Sequence, residues 1–474
     1  MPLFLFIPPN HLIPDMKEIL KFIGEIAEEL GLSAYVVGGY VRDEILGRNS
    51  YDIDILVVGK GVKLAEEVGK RTNSKVLVFK NFGTAQLIYQ EQVIEFVGAR
   101  KESYQRGSRK PIVEEGTLED DLTRRDFTIN AIAKSIMPRD FGTIIDLFGG
   151  QEDIKLGIIK SPTDPLITFS DDPLRMLRAI RFATTLGFEI DPTTFEAIKK
   201  TVDRLDIISP ERITTELCKI MSSNDPGTGI DLLKESGLLK KIIPELDILD
   251  TSDSECGRGH KNNYWHSVQV LRGVADKSNS LWLRWAALLH DIGKEPTKKF
   301  IGGDEGWSFI GHEAIGADMA EVIFRRLKLP LGDTVKYVKK LINLHMRPAY
   351  ISTSEITDSG VRRLLFDAGD DFDDLMILCR SDLTTKREDK RERIEKHYDQ
   401  LQSLVSDLKE RDQRRLFQPC INGNDIKERY GLRTGRLVGQ LKNFIKEGVL
   451  DGRLENTRSC LFKALDEEWN RIKK

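Results

Sequence analysis

The sequence has few cysteines, no long apolar run and no excess of positive charge. Its five cysteines are scattered singly without a CxxC pair, so we expect reduced thiols in a cytoplasmic protein; they are Cys218, Cys256, Cys379, Cys420 and Cys460. The apolar runs are too short to span a bilayer, which argues against a membrane role. A net charge of -3 argues against coating nucleic acid by bulk electrostatics, so any RNA contact must be local and no DNA binding is expected.

The length of 474 residues predicts two to four domains. The first ten residues lack a basic region and contain Pro8 and Pro9, so we interpret them as mature chain and not as a signal peptide. Apolar spacing predicts a helix over 16–30, and from about Asp171 the pattern is helical almost throughout. Glycines are predicted to end helices at Gly187, Gly237, Gly293 and Gly316.

Short β-type runs follow the first predicted helix, at 35–37, 52–58, 76–79, 85–89 and 93–97. The predicted fold class is α+β, with a small mixed β-sheet head followed by mostly α-helical domains. The predicted domains are a head over 1–145, a helical neck over 146–240, a middle helical domain over 241–400 and a helical tail over 401–474.

A double-glycine turn separates a predicted strand from a predicted helix at 35–46. Gly38 and Gly39 remove side chains where backbone N–H groups could approach phosphate oxygens, and the helix N-terminus adds a positive dipole end. Arg42 would add charge to the same phosphates. The turn is therefore a candidate triphosphate site.

Two aspartates, Asp52 and Asp54, occur at the start of an apolar strand shortly after this turn. Alternation along a strand places both carboxylates on one face while Ile53 and Ile55 enter the core. Such a pair repels unless cations lie between the two, and two Mg²⁺ ions there could activate an attacking 3′ hydroxyl and neutralise a departing pyrophosphate. Glu95 could contribute a third carboxylate from a neighbouring strand.

The chain resembles the class II tRNA nucleotidyltransferase and poly(A) polymerase family of the polymerase β superfamily. Six blocks occur in family order: VGGYVRD (37–43), DIDI (52–55), RRDFTINAIA (124–133), DLFGG (146–150), DDPLRMLRAIRFA (171–183) and ERITTEL (211–217). The resemblance implies that Gly39 and Arg42 contact the triphosphate, that Asp52 and Asp54 hold the metals, and that Arg125 lies near the nucleotide. Asp171 departs from the Glu that is common in the family.

The resemblance also implies a nucleotide-reading helix formed by Asp172, Arg175, Arg178 and Arg181. A carboxylate that accepts and a guanidinium that donates could together bond a cytosine or adenine edge without a nucleic-acid template. The implied partners are CTP, ATP and the tRNA 3′ end. Addition of CC only, addition of A only and poly(A) synthesis remain alternatives, and the stretch 100–121 resembles the flexible loop that governs the switch from C to A.

Four of the seven histidines fall between His266 and His345. His266, the pair His290–Asp291 and the distal Asp382 resemble the ligand order of an HD phosphohydrolase domain, which implies a divalent metal. Imidazoles with carboxylates suit Mn²⁺, Ni²⁺ or Zn²⁺. His312 and His345 match places that hold a second metal in some HD enzymes.

The HD resemblance also implies an alternative function of another class. In this alternative the chain is a metal-dependent phosphohydrolase with an RNA-binding head, and it acts on 2′,3′-cyclic or terminal phosphates. Basic patches at 100–110 and 175–181 and in the tail could contact RNA, the tail candidates being Arg433, Arg436, Lys442 and Lys446. The sequence predicts no oligomeric state.

Overall fold

The structure is a computed structural model that describes residues 16–50, 52–79, 83–90, 92–103, 112–250, 254–255, 258–259, 262–302, 306–353, 357–384, 387–411, 418–433 and 435–473. The chain forms two compact units. The first comprises Met1–Ile220 with Leu232–Lys241, and the second comprises Met221–Asp231 with Ile242–Lys474.

The first unit contains a seven-stranded mixed sheet in the order β3-β4-β5-β2-β1-β8-β9. Its strands are β1 (Ser33–Val37), β2 (Ile53–Val58), β3 (Lys75–Phe79), β4 (Thr84–Tyr89), β5 (Gln92–Gly98), β8 (Ile132–Ser135) and β9 (Ile144–Asp146). The pair β2/β5 is parallel and every other neighbouring pair is antiparallel. Alternation holds along β2, where Ile53 and Ile55 are fully buried. The predicted α+β class is confirmed, with β8 and β9 as additional strands.

Two further strands, β6 (Arg100–Ser103) and β7 (Ile112–Glu115), form an antiparallel hairpin. They occupy the start and the later part of the segment 100–121 that resembles a flexible loop. Residues 104–111, in the middle of that segment, lie outside the described residues. The end of the segment is helical, and Thr117 is the N-cap of this helix. The Thr117 side chain accepts from the backbone nitrogen of Asp120, and the Asp120 side chain accepts from the backbone nitrogen of Thr117.

Helices surround this sheet and continue to the end of the unit. They are α1 (Met16–Glu29), α2 (Gly39–Ile45), α3 (Gly61–Thr72), α4 (Leu118–Thr123), α5 (Gly150–Leu156), α6 (Pro165–Asp171), α7 (Leu174–Leu186), α8 (Pro192–Thr201) and α9 (Pro210–Met221). The strands β10 (Ile158–Ile159) and β11 (Glu189–Ile190) form a short parallel pair. The first predicted helix is confirmed to within one residue.

The predicted nucleotide-reading helix is shorter at its start than its spacing indicated. Pro173 is the N-cap of α7, and Asp172 before it has an extended backbone with φ -131°. A residue that precedes proline is disfavoured in the helical region, so the chain breaks between α6 and α7. Asp172 therefore lies outside the helix that carries the three arginines, and its inclusion in that helix was wrong.

The second unit is mostly helical. Two helices, α10 (Pro226–Glu235) and α11 (Leu238–Ile242), span the positions where the chain passes between units; the others are α12 (Pro244–Asp247), α13 (Asn263–Ala275), α14 (Leu281–Leu289), α15 (Lys294–Thr297), α16 (His312–Arg326), α17 (Asp333–Leu344), α18 (Arg347–Thr353), α19 (Asp358–Ala368), α20 (Phe372–Asp382), α21 (Glu388–Arg411), α22 (Gly423–Tyr430), α23 (Arg436–Leu450) and α24 (Arg458–Lys473). Two small hairpins are β12 (Ser254–Glu255) with β13 (Arg258–Gly259) and β14 (Lys299–Gly302) with β15 (Gly306–Ser308). Within the described ranges, no helix is long and apolar enough to cross a membrane.

Gly187 ends α7 in a left-handed conformation, as predicted, but Gly316 lies inside α16. The predicted helix end at Gly316 was wrong, and the glycine instead permits a close backbone approach. A Cβ on Gly293 would lie 2.1 Å from the carbonyl oxygen of His312 and 2.6 Å from the nitrogen of Gly316. The two glycines therefore let the turn before α15 pack on the first turn of α16, where His312 lies.

Candidate functional site

The parallel pairing of β2 and β5 brings the predicted carboxylates of the head together. Asp54 on β2 lies opposite Glu95 on β5 in the register of the two strands. Asp52 is exposed and immediately precedes β2, whereas Asp54 is only partly exposed. The three side chains thus lie at one end of the pair, as the alternation of residues predicted.

Electrostatics at this strand end disfavour three ionised carboxylates. Burial and the charge of Asp52 raise the pKa of Asp54 to about 6, and Glu95 adds to the effect while Arg125 opposes it. Burial and Asp52 also raise the pKa of Glu95. A divalent cation would relieve this repulsion, and carboxylate oxygens are the ligands that Mg²⁺ prefers.

The double-glycine turn positions an arginine beside this carboxylate group. Gly38 has φ +72°, and a Cβ there would lie 3.0 Å from Nη1 of Arg125 and 4.0 Å from Oδ2 of Asp54. Gly39 begins α2. The turn therefore needs glycine both for its backbone conformation and for the approach of Arg125.

The two arginines predicted near the nucleotide are held by buried polar residues. Arg42 donates from Nη1 to Oδ1 of Asn130 over 2.7 Å, and Nε donates to Asp43 over 2.9 Å. Arg125 donates to Oδ2 of Asp121 over 3.0 Å. Asp121 and Asn130, which sequence reasoning missed, are both buried; Asp121 precedes the block 124–133, and Asn130 lies within it. The position of Asn130 in a block that carries the family resemblance was the signal that could have found it.

The next two arginines of α7 form ion pairs with buried acids. Arg178 donates from Nε to Oδ2 of Asp126 over 2.7 Å, and Arg181 Nε lies 3.1 Å from Oε2 of Glu216. Burial alone would raise the pKa of Asp126, but Arg178 lowers it to about 2. The guanidinium carbons of Arg178 and Arg181 lie 5.4 Å and 4.0 Å from the centre of the Phe182 ring. Arg178 therefore connects α7 to the head, and Arg181 connects α7 to α9.

The hydrogen bonds of Asp172 and Arg175 involve Arg212 and backbone groups instead of buried acids. Asp172 accepts from Nη2 of Arg212 over 3.2 Å through one oxygen, and from the backbone nitrogen of Leu174 over 3.2 Å through the other. Arg175 donates to the carbonyl oxygen of Arg124. Arg212, from the ERITTEL block, is a partner that the sequence analysis did not assign.

The histidines and aspartates of the HD pattern meet inside the second unit. Nε2 of His266 lies 3.3 Å from Oδ2 of Asp291 and 2.8 Å from Oδ1 of Asp382, and Nε2 of His290 lies 3.2 Å from Oδ2 of Asp291. His312 and His345 present Nε2 at 3.5 Å and 3.8 Å from the other oxygen, Oδ1, of Asp291. Asp291 therefore lies between two pairs of imidazoles.

Hydrogen bonds orient these imidazoles for metal binding. Nδ1 of His290, His312 and His345 donates to the backbone carbonyls of Ala287, Phe309 and Ile342 over 2.8, 2.9 and 2.6 Å. A carbonyl can only accept, so Nδ1 carries the proton and Nε2 offers its lone pair to the cluster. Nε2 of His290 is buried and makes no hydrogen bond with any of the residues that the structure describes, as expected for a ligand atom. Nδ1 of His266 bonds Oγ1 of Thr384 over 2.9 Å.

The cluster contains three groups of three candidate ligands, and within each group the ligand atoms all lie within 4.8 Å of one another. Such groups occur nowhere else among the residues that the structure describes. The groups are His266/His290/Asp291, His290/His345/Asp382 and Asp291/His312/His345. Burial alone would raise the pKa of Asp291, but His290, His266 and Lys294 hold it well below its usual range. The donor set fits one divalent metal at the first two groups and a second at the third.

The helix that ends at His290 is anchored at its beginning by a buried arginine. Arg284 donates from Nη1 to the carbonyls of Met221 and Ser223 over 2.9 and 2.8 Å, and from Nε to the carbonyl of Ser278 over 3.1 Å. The side chain is 2% exposed. Its charge is thus stabilised by carbonyl dipoles and not by a carboxylate.

Comparison with known proteins agrees with these features. Residues 34–160 match the family described as the poly A polymerase head domain, residues 187–249 a probable RNA- and SrmB-binding site of polymerase A, and residues 263–404 the HD domain. A solved structure of a CCA-adding enzyme in an apo form superposes with a TM-score of 0.65 over 96% of this chain and 95% of the other, at 23% identity. The fold and site define a protein with a poly(A)-polymerase-type head followed by an HD domain.

Curated relatives identify the family within this class of proteins. The A-adding tRNA nucleotidyltransferase of Aquifex aeolicus is 44% identical over 312 residues, 65% of this chain and 36% of the relative. The multifunctional CCA protein of Cupriavidus metallidurans is 32% identical over 314 residues, 63% of this chain and 71% of the relative. The A-adding tRNA nucleotidyltransferase of Geobacter sulfurreducens is 37% identical over 240 residues, and the chain spans only 27% of this relative and 36% of the Aquifex aeolicus relative. It belongs to the tRNA nucleotidyltransferase family, which confirms the resemblance stated from its motifs.

Proposed function

We propose that the chain transfers C and A residues from CTP and ATP to the 3′ end of tRNA without a nucleic-acid template. The observation that carries this proposal is the juxtaposition of Asp54 and Glu95 on paired strands, with Asp52 beside them and Arg125 across the glycine turn. The carboxylates would hold Mg²⁺, which would activate the 3′ hydroxyl and bind the departing pyrophosphate. Arg42 and Arg125 would bind the triphosphate, and Asp172 with Arg175 would bind the base.

Addition of A alone is the second candidate within this activity. The Aquifex aeolicus relative, which has the higher identity of the two described above, is named an A-adding enzyme, whereas the Cupriavidus metallidurans relative is named a multifunctional CCA protein. The predicted base-binding residues Asp172 and Arg175 offer an acceptor and a donor, which suits either base. The side chains alone therefore fit both candidates.

Product length on three tRNA acceptors separates these candidates. The full chain is incubated with Mg²⁺ and labelled CTP or ATP on tRNA that ends at the discriminator base, at C or at CC. Full CCA addition extends all three, A addition extends only the last, and poly(A) synthesis gives long products. The double variant Asp52→Ala, Asp54→Ala is the control, and activity equal to that of the parent in this variant would contradict the proposal.

The HD cluster supports a second activity, hydrolysis of a phosphate ester at an RNA end. Its six ligand side chains would hold Mn²⁺, Ni²⁺ or Zn²⁺, whose bound water would attack a 2′,3′-cyclic or terminal phosphate. Metal analysis and phosphatase assays on the parent and on His290→Ala test this activity. Retention of both the metal and the hydrolysis in His290→Ala would refute it.

The tail is proposed to contact tRNA through its cations. Arg433, Arg436 and Lys442 are exposed, whereas the ammonium of Lys446 lies 4.2 Å from the centre of the Phe366 ring. The tail has a core of its own, formed by α22–α24 around Ile426, Leu441 and Leu465 among others. The exposed cations would bind phosphates without reading sequence.

A further inference from the structure

One face of the head sheet carries large apolar side chains that are open to solvent. Four of them are neighbours on three strands: Leu77 (37% exposed), Phe79 (40%), Ile88 (38%) and Val93 (44%). Ile88 on β4 pairs directly with Val93 on β5, and Leu77 on β3 lies diagonal to Ile88. Phe79 follows two residues after Leu77 on β3. Neighbours of this kind lie about 5 to 8 Å apart, so the four side chains form one continuous patch, called here the apolar platform.

Helix α3 covers the other face of these strands. A Cβ on Gly69 of α3 would lie 2.3 Å from Cγ2 of Val76 and 3.5 Å from Cδ1 of Leu87. Val76 and Leu87 alternate with the platform residues along β3 and β4, so their side chains point to the opposite face of the sheet. The apolar platform therefore faces away from α3. A continuous exposed patch of this kind is typical of a binding surface, whereas single exposed apolar side chains need no partner.

The carboxylates proposed to hold Mg²⁺ lie on the same face of the sheet as the platform. Strand register aligns four residues in one row across β3, β4, β5 and β2, namely Leu77, Gln86, Glu95 and Asp54. Val93 lies two residues before Glu95 on β5, so both side chains point to this face. Leu77 is two strand spacings from Glu95, about 10 Å. The platform thus begins beside the carboxylates and extends to the edge strand β3.

The strand order places the platform and the glycine turn on opposite sides of the carboxylates. Strand β2 pairs on one side with β1, which leads into the turn, and on the other side with β5. In an in-line transfer the 3′ oxygen bonds to the α-phosphorus while the bond from that phosphorus to the pyrophosphate oxygen breaks on the far side, and the hydroxyl proton passes to water. With the triphosphate at the turn, the 3′ hydroxyl approaches from the β5 side. The nucleotides before this hydroxyl then lie over β4 and β3.

We propose that the apolar platform is the binding surface for the last nucleotides of the tRNA 3′ end, which it holds so that the 3′ hydroxyl lies beside Glu95. This inference rests on the proposed transfer to tRNA and assigns a location to the RNA substrate. Alkyl and phenyl side chains have no hydrogen-bonding groups, so they contact bases and riboses without reading sequence. Such a surface suits an RNA end whose last nucleotide changes with each addition.

Photocrosslinking locates the RNA end independently of catalysis. A tRNA whose 3′ end is 4-thiouridine followed by C is irradiated with the full chain and Mg²⁺, and the adducts are mapped by mass spectrometry. Adducts are expected within 75–79, 84–89 or 92–95, and they should decrease in the double variant Leu77→Gln, Ile88→Gln. Leu156→Gln makes the same exchange at a 61% exposed position on α5 and should leave them unchanged. Absence of adducts, or adducts only outside these strands, overturns the proposal.

Kinetics separate binding of the RNA end from binding of the nucleotide. On tRNA ending at CC, the double variant Leu77→Gln, Ile88→Gln should raise KM for tRNA about tenfold, because apolar contact with at least one nucleotide is lost. KM for ATP and kcat at saturating tRNA should stay at the parent values. The conservative double variant Leu77→Met, Ile88→Val should retain the parent KM for tRNA, as should Leu156→Gln. An unchanged KM for tRNA in the glutamine variant, or an equal rise in KM for ATP, overturns the platform.

A second copy of the chain is the other occupant that an exposed apolar sheet face could take. Sedimentation of the parent and of the double glutamine variant distinguishes this case. A dimer that the variant disrupts, together with an unchanged KM for tRNA, would make the platform a dimer surface and overturn the proposal. If the parent incorporates no nucleotide, the proposed transfer fails, and the crosslink map still decides where the RNA end lies.

Discussion

The candidate metal sites in the head and in the HD domain hold their acidic residues in opposite electrostatic states. In the head, burial and neighbouring carboxylates raise the pKa of Asp54 to about 6. In the HD domain, imidazoles and Lys294 hold the pKa of Asp291 well below its usual range in spite of burial. In the head, Arg125 only partly offsets the burial and the repulsion between carboxylates, whereas in the HD domain the imidazoles and Lys294 outweigh the burial of Asp291.

Ligand chemistry follows the same division. The carboxylate oxygens of the head suit a hard ion such as Mg²⁺. The HD cluster adds four imidazoles that are fixed by hydrogen bonds, which suits a borderline ion. The two candidate sites therefore differ both in the partners of their acids and in the class of ion that their ligand atoms suit.

The largest expected effect is on nucleotide transfer. Asp54→Asn should lower the rate of AMP incorporation by a factor on the order of 10³ or more, since it removes a proposed ligand of the metal that would stabilise transition-state charge. His290→Ala in the HD cluster is the matched control and should retain the parent rate. Incorporation by Asp54→Asn within tenfold of the parent would remove the distinction between the sites.

The next largest effect concerns the metal affinity of the HD cluster. Thr384→Val removes the hydroxyl that orients His266 and should weaken transition-metal binding by about 10- to 100-fold. Competition with a chelator of known affinity measures the change. Thr215→Val makes the same exchange at an exposed position on α9 and should have no effect on the metal. Equal affinities in the two variants would show that His266 needs no orienting hydroxyl.

A smaller effect concerns stability. Because the pKa of Asp54 is raised from 3.8 to about 6, the folded state binds this proton more tightly than the unfolded state, so the stability contributed by this group is lost as the pH rises through 6. Without divalent metal at pH 7.5, Asp54→Asn should raise the free energy of unfolding by on the order of 2 kcal/mol, and below pH 4 the gain should vanish. Urea unfolding in a chelator measures both values. A gain that is the same at both pH values would contradict the raised pKa.

The smallest effect concerns base recognition. Asp172→Asn should lower kcat/KM by about tenfold and change the ratio of C to A addition, because the amide replaces an acceptor with a donor. Arg212→Gln, which removes the partner that orients Asp172, should act in the same direction and less strongly. Single-nucleotide incorporation on tRNA ending at C and at CC provides both numbers. An unchanged ratio in Asp172→Asn would exclude this carboxylate from base selection.

Short-range patterns predicted much of the fold. Five of the strands and α1 were found because alternation and helical spacing act within a few residues. The strands β8 and β9 were missed, since they are only four and three residues long and β8 begins at the end of the block 124–133. The break at Pro173 was missed because spacing was given more weight than the proline that follows Asp172.

The sequence did not predict which acidic residues pair with the arginines of α7. Arg178 pairs with Asp126 and Arg181 with Glu216, but nothing in the spacing of the arginines indicates which acids approach them. The position of Asp291 between two imidazole pairs likewise depends on four helices meeting. Motif order identified the candidate ligands, and three-dimensional packing determined which of them lie together.

The buried Arg284 has a consequence for how the HD cluster responds to acid. Guanidinium stays protonated throughout the accessible pH range, so the bonds from Arg284 to Met221, Ser223 and Ser278 do not weaken as protons are added. A metal held by imidazole nitrogens would compete with protons for the same lone pairs, so added acid would displace it. Acidification should therefore empty the cluster while α14 stays anchored, and neutralisation should restore metal binding without refolding.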